Sequence, residues 1–210
     1  MTNFFQVKKK SKLSNARLGL INTSHGKINT PSFIFCGTKA TVKSVLPSQL
    51  KLARTQIILS NTYHLMLQPG PEVISKEGGL QSFTDWNGPM MTDSGGYQIF
   101  SLGYGSVSEE IKGKNNNAKR KSLIKITEDG ASFRNYLNGD KVFLSPERSI
   151  ELQRDFGADL IFVLDECTPF NVSKKYTEKS MYMSHRWAAR CKNSFDSKFK
   201  KYNSTFGSSG

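Results

Sequence analysis

The sequence predicts an α/β protein built on parallel strands. Short apolar runs recur near residues 33, 58, 91 and 162, with segments of helical spacing between them. Each run is continuously apolar rather than alternating, as expected of strands buried on both faces. An antiparallel start precedes them in residues 4–35. There "ARLGLINTSHGKINTPSFIF" places β-type residues on both sides of a "SHGK" turn. His25 in that turn reads as a turn residue with a solvated ring.

The remaining elements follow in order. "LPSQLKLARTQ" sets Leu46, Leu50 and Ala53 on one helical face. After the run "IILSNTYHL", the helical stretch "PEVISKEGG" stops at Gly78. The run "PMMTDSGG" comes next. Residues 104–144 interrupt the rhythm. "KGKNNNAKRK" is polar, Asn-rich and free of acids, which predicts a mobile loop. "SLIKITEDGASFRNYLNGDKVFL" reads as a three-strand meander turning at "EDG" and "NGD". In "SPERSIELQRDFGAD", Ser145 is a good N-cap, Pro146 suits the first helical position and Glu147 the first turn. "LIFVLDECTP" is the fourth run, "KSMYMSHRWAARCKNSF" the last helix, and "STFGSSG" a weak, turn-like end. Residues 1–210 are expected to form a single domain.

Composition narrows the class. The 210 residues are 37% hydrophobic and carry a formal net charge of +13. That excess favours a polyanionic partner, nucleic acid above all. The plainer alternative is a soluble basic surface. Cys36, Cys167 and Cys191 are odd in number and form no CxxC pair, which argues against a disulfide framework or a zinc site and fits a reduced cytoplasmic setting. No apolar run reaches membrane length, and "MTNFFQVKKK" is not a signal peptide. No HExxH, P-loop or GxGxxG motif occurs. The basic runs "KGKNNNAKRKSLIK" and "SKFKK" are candidate phosphate contacts as well as ordinary solvated surface.

In parallel βα folds, functional groups collect where strands end. Three ends here become polar abruptly. "IILSN" delivers Ser60 and Asn61, "MMTDSGG" delivers Asp93 and Ser94, and "IFVLDEC" delivers Asp165, Glu166 and Cys167. Either acid alone could simply cap the next turn. Two acids at equivalent ends point to a site, because a carboxylate beside a buried strand is costly unless paired or employed. "DSGG" also surrounds the nucleophile of trypsin-like proteases, but those are all-β and usually disulfide-bonded. The carboxylate reading therefore stands. Gly95 and Gly96 let backbone approach a ligand. Tyr97 could stack on a nucleobase or serve ordinary packing. His64 reads as a hydrogen-bonded residue of the core or behind the site rather than a ligand, and His185 as structural or surface. A glycosidase using Asp93 and Asp165 as its carboxylate pair is a competing class, disfavoured by the basic charge and the Gly-Gly-Tyr turn.

Together, "TPSFIFCGTKATVK", "ILSNTYHLMLQPG", "GGLQSFTDWNGPMMTDSGGYQIFSL", "LSPERSIELQ" and "GADLIFVLDECTP" resemble the tRNA-guanine transglycosylases, or queuine tRNA-ribosyltransferases, over about residues 16–200. The resemblance implies a (β/α)₈ TIM barrel with an N-terminal antiparallel sheet. It implies exchange of wobble guanine in tRNA for queuine or, in bacteria, preQ1, through a covalent tRNA-enzyme intermediate. It makes Asp93 the proton-handling aspartate. It makes Ser94, Gly95, Gly96 and Tyr97 a base pocket, with Tyr97 stacked on the purine. Asp165 would bind the base's N1 and amino edge, Cys167 would line the pocket, and Asn61 would stand near the nucleophile.

The same resemblance implies partners and departures. The partners are tRNA through its anticodon loop, guanine with preQ1 or queuine, and a second subunit in the bacterial homodimers. The family's Zn2+, its nucleophilic aspartate and most anticodon contacts belong to later motifs that are not found here. The chain is thus expected to cover about four of the eight strands, as an N-terminal half that is inactive alone. A catalytically silent, tRNA-binding subunit of the same family is the alternative. "GSSG" departs from the family pattern.

Overall fold

The structure is a computed structural model that describes residues 4–103, 124–168 and 172–206. The expected loop at 112–121, the ending 207–210 and the side chains of the basic run at 198–201 lie outside the described residues. The chain divides into two compact units. One comprises Met1–Asp93 with Gln153–Ile161, the other Ser94–Leu152 with Phe162–Gly210.

The first unit opens with an antiparallel sheet of β1 (Phe5–Lys10), β2 (Arg17–Thr23) and β3 (Gly26–Thr30) in that order. The β2–β3 turn falls at Ser24–His25, as its sequence predicts. The His25 side chain is 40% exposed, as expected, and it also binds a distant residue. His25 Nδ1 lies 2.9 Å from Asp159 Oδ1, and the His25 N–H donates to the same oxygen at 3.3 Å. The Asp159 side chain is only 1% exposed. A buried carboxylate requires donors, and the hairpin turn supplies them from 134 positions away.

Four short parallel strands make the second sheet of this unit: β4 (Phe35–Cys36), β5 (Ile58–Ser60), β6 (Met90–Thr92) and β10 (Leu160–Ile161). Their order is β10-β6-β5-β4, so each strand lies beside its neighbour in chain order within the sheet. Helices α1 (Pro47–Leu52), α2 (Thr62–Leu67), α3 (Pro71–Lys76) and α4 (Leu80–Thr84) fill the connections. Ile57, Ile58, Leu65, Ile74, Leu80 and Met90 are buried. Each contributes about 1.5–3 kcal/mol of apolar transfer relative to exposure. Of the three residues expected on one face of α1, only Leu50 is buried. Leu46 is the extended N-cap and Ala53 the C-cap of this six-residue helix, so neither side chain follows its face.

In the second unit, α5 (Gly96–Gly103) precedes the antiparallel meander β7 (Lys125–Thr127), β8 (Gly130–Arg134) and β9 (Lys141–Leu144). Helix α6 (Pro146–Asp155) runs from this unit into the other. Ser145 caps it, its Oγ accepting the Arg148 N–H at 3.1 Å. The last helix, α7 (Lys174–Phe206), continues through Ser204–Phe206, which are helical rather than turn-like. It grips the β7–β8 turn. Arg186 bonds both Glu128 oxygens (2.7 and 2.8 Å), and Trp187 Nε1 donates to the Glu128 carbonyl at 2.7 Å. Arg190 holds Glu147 through two nitrogens and keeps that carboxyl below its ordinary range. Cys191 is buried, and burial pushes its thiol up.

Candidate functional site

Parallel strands deliver consecutive residues to one sheet edge, here the ends of β4, β5 and β6. Asp93 directly follows β6. Its Oδ2 accepts from Asn61 Nδ2 at 2.5 Å and its Oδ1 from the Thr62 N–H at 2.9 Å. The Thr62 hydroxyl returns a bond to the Asp93 carbonyl at 2.6 Å. Asn61, 7% exposed, is placed by its own N–H on the Thr38 carbonyl and is the N-cap residue of α2. Cys36 Sγ, at the end of β4, lies 3.6 Å from Asn61 Oδ1. The adjacent Ser60 hydroxyl is buried with no hydrogen-bond partner among the described residues. His64, half-buried on α2, has its pKa lowered by burial and then by Lys39, with Asp93 opposing. The unit thus holds a half-buried carboxylate in one orientation near an imidazole whose charged form is disfavoured by burial.

The second unit supplies the other expected residues. Ser94 is buried. Its Oγ accepts the Gly96 N–H at 3.3 Å, and its carbonyl accepts Ser149 Oγ at 2.8 Å. Gly95 has φ +86°, a left-handed conformation that disfavours a side chain. Gly96 is constrained differently, by contact. A Cβ there would meet the Asp165 carbonyl at 2.7 Å and Asp165 Oδ1 at 3.2 Å. The Ser-Gly-Gly turn therefore lies directly against the Asp165 segment. Tyr97, in the first turn of α5, is 52% exposed. Asp165 is exposed and Cys167 half-buried. A cavity beside them, lined by Gly96, Ile99, Leu164, Asp165, Cys167 and Trp187, holds about 10 Å³. That is room for one water, not a purine.

Two contributors, Thr62 and Cys36, escaped the sequence reading. Thr62 fixes Asp93 through its backbone N–H, a donor that no side-chain pattern announces. Cys36 becomes relevant only once β4 is paired with β5. Glu166 is held by the Tyr176 hydroxyl at 2.5 Å and by Ser184 on its N–H at 3.0 Å, which ties the Asp165–Cys167 segment to α7. The "SNT" that follows the β5 run was the one available signal for Thr62. Among the described residues no group of three or more His, Cys, Asp or Glu is arranged to hold a metal ion. The residues present do not fit zinc. No helix among them is long and apolar enough to cross a membrane.

Residues 11–209 match the family described as Queuine tRNA-ribosyltransferase. Proteins named Queuine tRNA-ribosyltransferase are similar to this chain. One from Roseiflexus sp. (strain RS-1) is 44% identical over 192 residues, covering 91% of this chain and 48% of that protein. Another from Protochlamydia amoebophila (strain UWE25) is 45% identical over 191 residues, covering 90% and 49%. A third from Staphylococcus aureus (strain N315) is 46% identical over 183 residues, covering 87% and 44%. The chain spans about half the length of the curated relatives it matches. On this match and these identities, the chain belongs to the queuine tRNA-ribosyltransferase family.

Proposed function

We propose that this chain carries the base-recognition part of a tRNA-guanine transglycosylase. The enzyme exchanges wobble guanine for queuine or preQ1 through a covalent tRNA-enzyme intermediate. In this reading the four parallel strands belong to a (β/α)₈ barrel. The observation that carries the proposal is the approach of the Ser-Gly-Gly turn to Asp165, with the half-exposed Tyr97 ring at the same turn.

Guanine presents an N1–H and an exocyclic amino group side by side. A carboxylate accepts both, and a charged acceptor makes each bond stronger than a neutral one. Asp165 takes that edge. The cavity under the turn is too small for a base, so the purine lies on the exposed side, against Tyr97, with Cys167 as a neighbour. Ser94 braces the turn from within. Asp93 takes and returns the proton of the exchanging base, held in orientation by Asn61 and Thr62.

Asp165→Asn is the test. The amide keeps one acceptor oxygen and turns an NH₂ donor towards the base's own donors. Calorimetry with free guanine should show affinity reduced by about 1.5–3 kcal/mol, the cost of losing a charged hydrogen-bond partner. Unchanged affinity overturns the assignment of Asp165.

A further inference from the structure

We infer that the β1–β2 end of the N-terminal sheet is an RNA-backbone docking groove, built from Lys9, Lys10 and Arg17. The groove is lined by these three cations with Ser11, Leu18 and Pro31. It lies on an outer strand, since β1 has only β2 beside it in the sheet order.

Three observations carry the inference. First, Lys10 and Arg17 are directly opposed across the β1–β2 pair, and Lys9 faces Leu18 next to them. Like charges in that position destabilise a sheet. Second, among the described residues no ion pair includes Lys8, Lys9, Lys10, Lys12 or Arg17, so no described carboxylate pairs with these cations. Third, the stretch of sequence that carries these strands has cations and no acids. Residues 1–71 carry ten lysines and arginines and no aspartate or glutamate, the first acid being Glu72. This third of the chain therefore supplies most of the net charge of +13.

A register shift falls between Val7 and Lys9, and Val7–Lys10 are all exposed. The 11–16 loop is closed by the Ser11 N–H on the Ala16 carbonyl at 2.9 Å, which fixes the strand ends carrying Lys10 and Arg17. Fixed cations without counter-ions, on an exposed edge, complement a line of phosphates. The inference takes from the proposed function only that the partner is an RNA.

The test uses the full 210-residue chain and a labelled tRNA transcript, with binding followed by anisotropy from 50 to 300 mM salt. Each phosphate contact contributes a slope of about −0.7 to −0.9 in log K against log salt. The triple variant Lys9→Gln/Lys10→Gln/Arg17→Gln should flatten the slope by about 2 to 3 and weaken binding about tenfold or more at 150 mM salt. The charge-keeping variant Lys9→Arg/Lys10→Arg/Arg17→Lys should bind as the parent does, which separates charge from folding. Equal loss on neutralising Lys51, Arg54 and Lys76 instead would show diffuse attraction and overturn the groove. Binding unchanged in the triple variant, or transferred to phosphatidylserine vesicles in preference to RNA, also overturns it. Calorimetry with free guanine separates the two proposals. The triple groove variant keeps the parent's guanine affinity, whereas Asp165→Asn loses it and leaves the salt slope of RNA binding unchanged.

Discussion

Asp159 and Asp93 stand at opposite ends of the same parallel sheet. Asp159 immediately precedes β10. Its side chain is 1% exposed and accepts from His25, from Gln81 Nε2 and from the Met90 N–H that begins β6. Asp93 immediately follows β6 and is half-buried, clamped by Asn61 and Thr62. The first carboxylate fastens a hairpin, a helix and a strand start together. The second is held in place next to a buried serine whose hydroxyl has no partner among the described residues, and near a half-buried histidine. Identical chemistry thus does different work at the two ends. The end where strands begin is saturated and serves stability, and the end where they finish keeps polar groups available.

That contrast is open to test, from the largest effect to the smallest. Asp159→Ala leaves the Met90 N–H without its acceptor and removes one of two oxygens that accept from Gln81 Nε2, and should cost about 3 kcal/mol in urea unfolding. Asp93→Asn keeps the shape and one acceptor, so the loss should be about 1–2 kcal/mol. If Asp93→Asn proves the more damaging, the division between a structural and a functional end fails. The third test uses pH. The folded pKa of His64 is depressed, chiefly by burial, so its contribution is present above the ordinary histidine value near 6.5 and is lost as pH falls through the folded pKa. His64→Asn should therefore flatten the fall in melting temperature below pH 6.5, by no more than about 2–4 °C. Parallel curves for both proteins would show that His64 does not titrate with unfolding.

The sequence revealed the end carrying Asp93 and concealed the end carrying Asp159. Asp93 follows the apolar run "PMMT", and a polar break after a run is a local signal. Asp159 sits in "DFGAD", where it looks like the finish of a helix. Its partners lie 134, 78 and 69 positions away, and no local pattern encodes them. His25 is the exposed turn residue that the sequence suggests, and only its bond to Asp159 was hidden, for the same reason. All four parallel strands and the meander were legible, because continuous apolar runs and "EDG" or "NGD" turns are local properties. The exposure of Leu46 and Ala53 was not, because a helical-face argument fails at the caps of a helix as short as α1. The Thr62 clamp was also hidden, since a backbone N–H belongs to every residue except proline.

The three cysteines differ in a way that bears on chemical labelling. Cys191 is buried, with its thiol pushed up, so an alkylating reagent finds little thiolate there. Cys167 is half-buried and Cys36 is exposed, its sulfur 3.6 Å from the Asn61 oxygen. A brief maleimide treatment should therefore mark Cys36 first. A fluorophore attached there sits one side chain away from the Asn61–Asp93 clamp, without any engineered residue. Its emission would report rearrangement of that clamp while Cys191 stays unmodified.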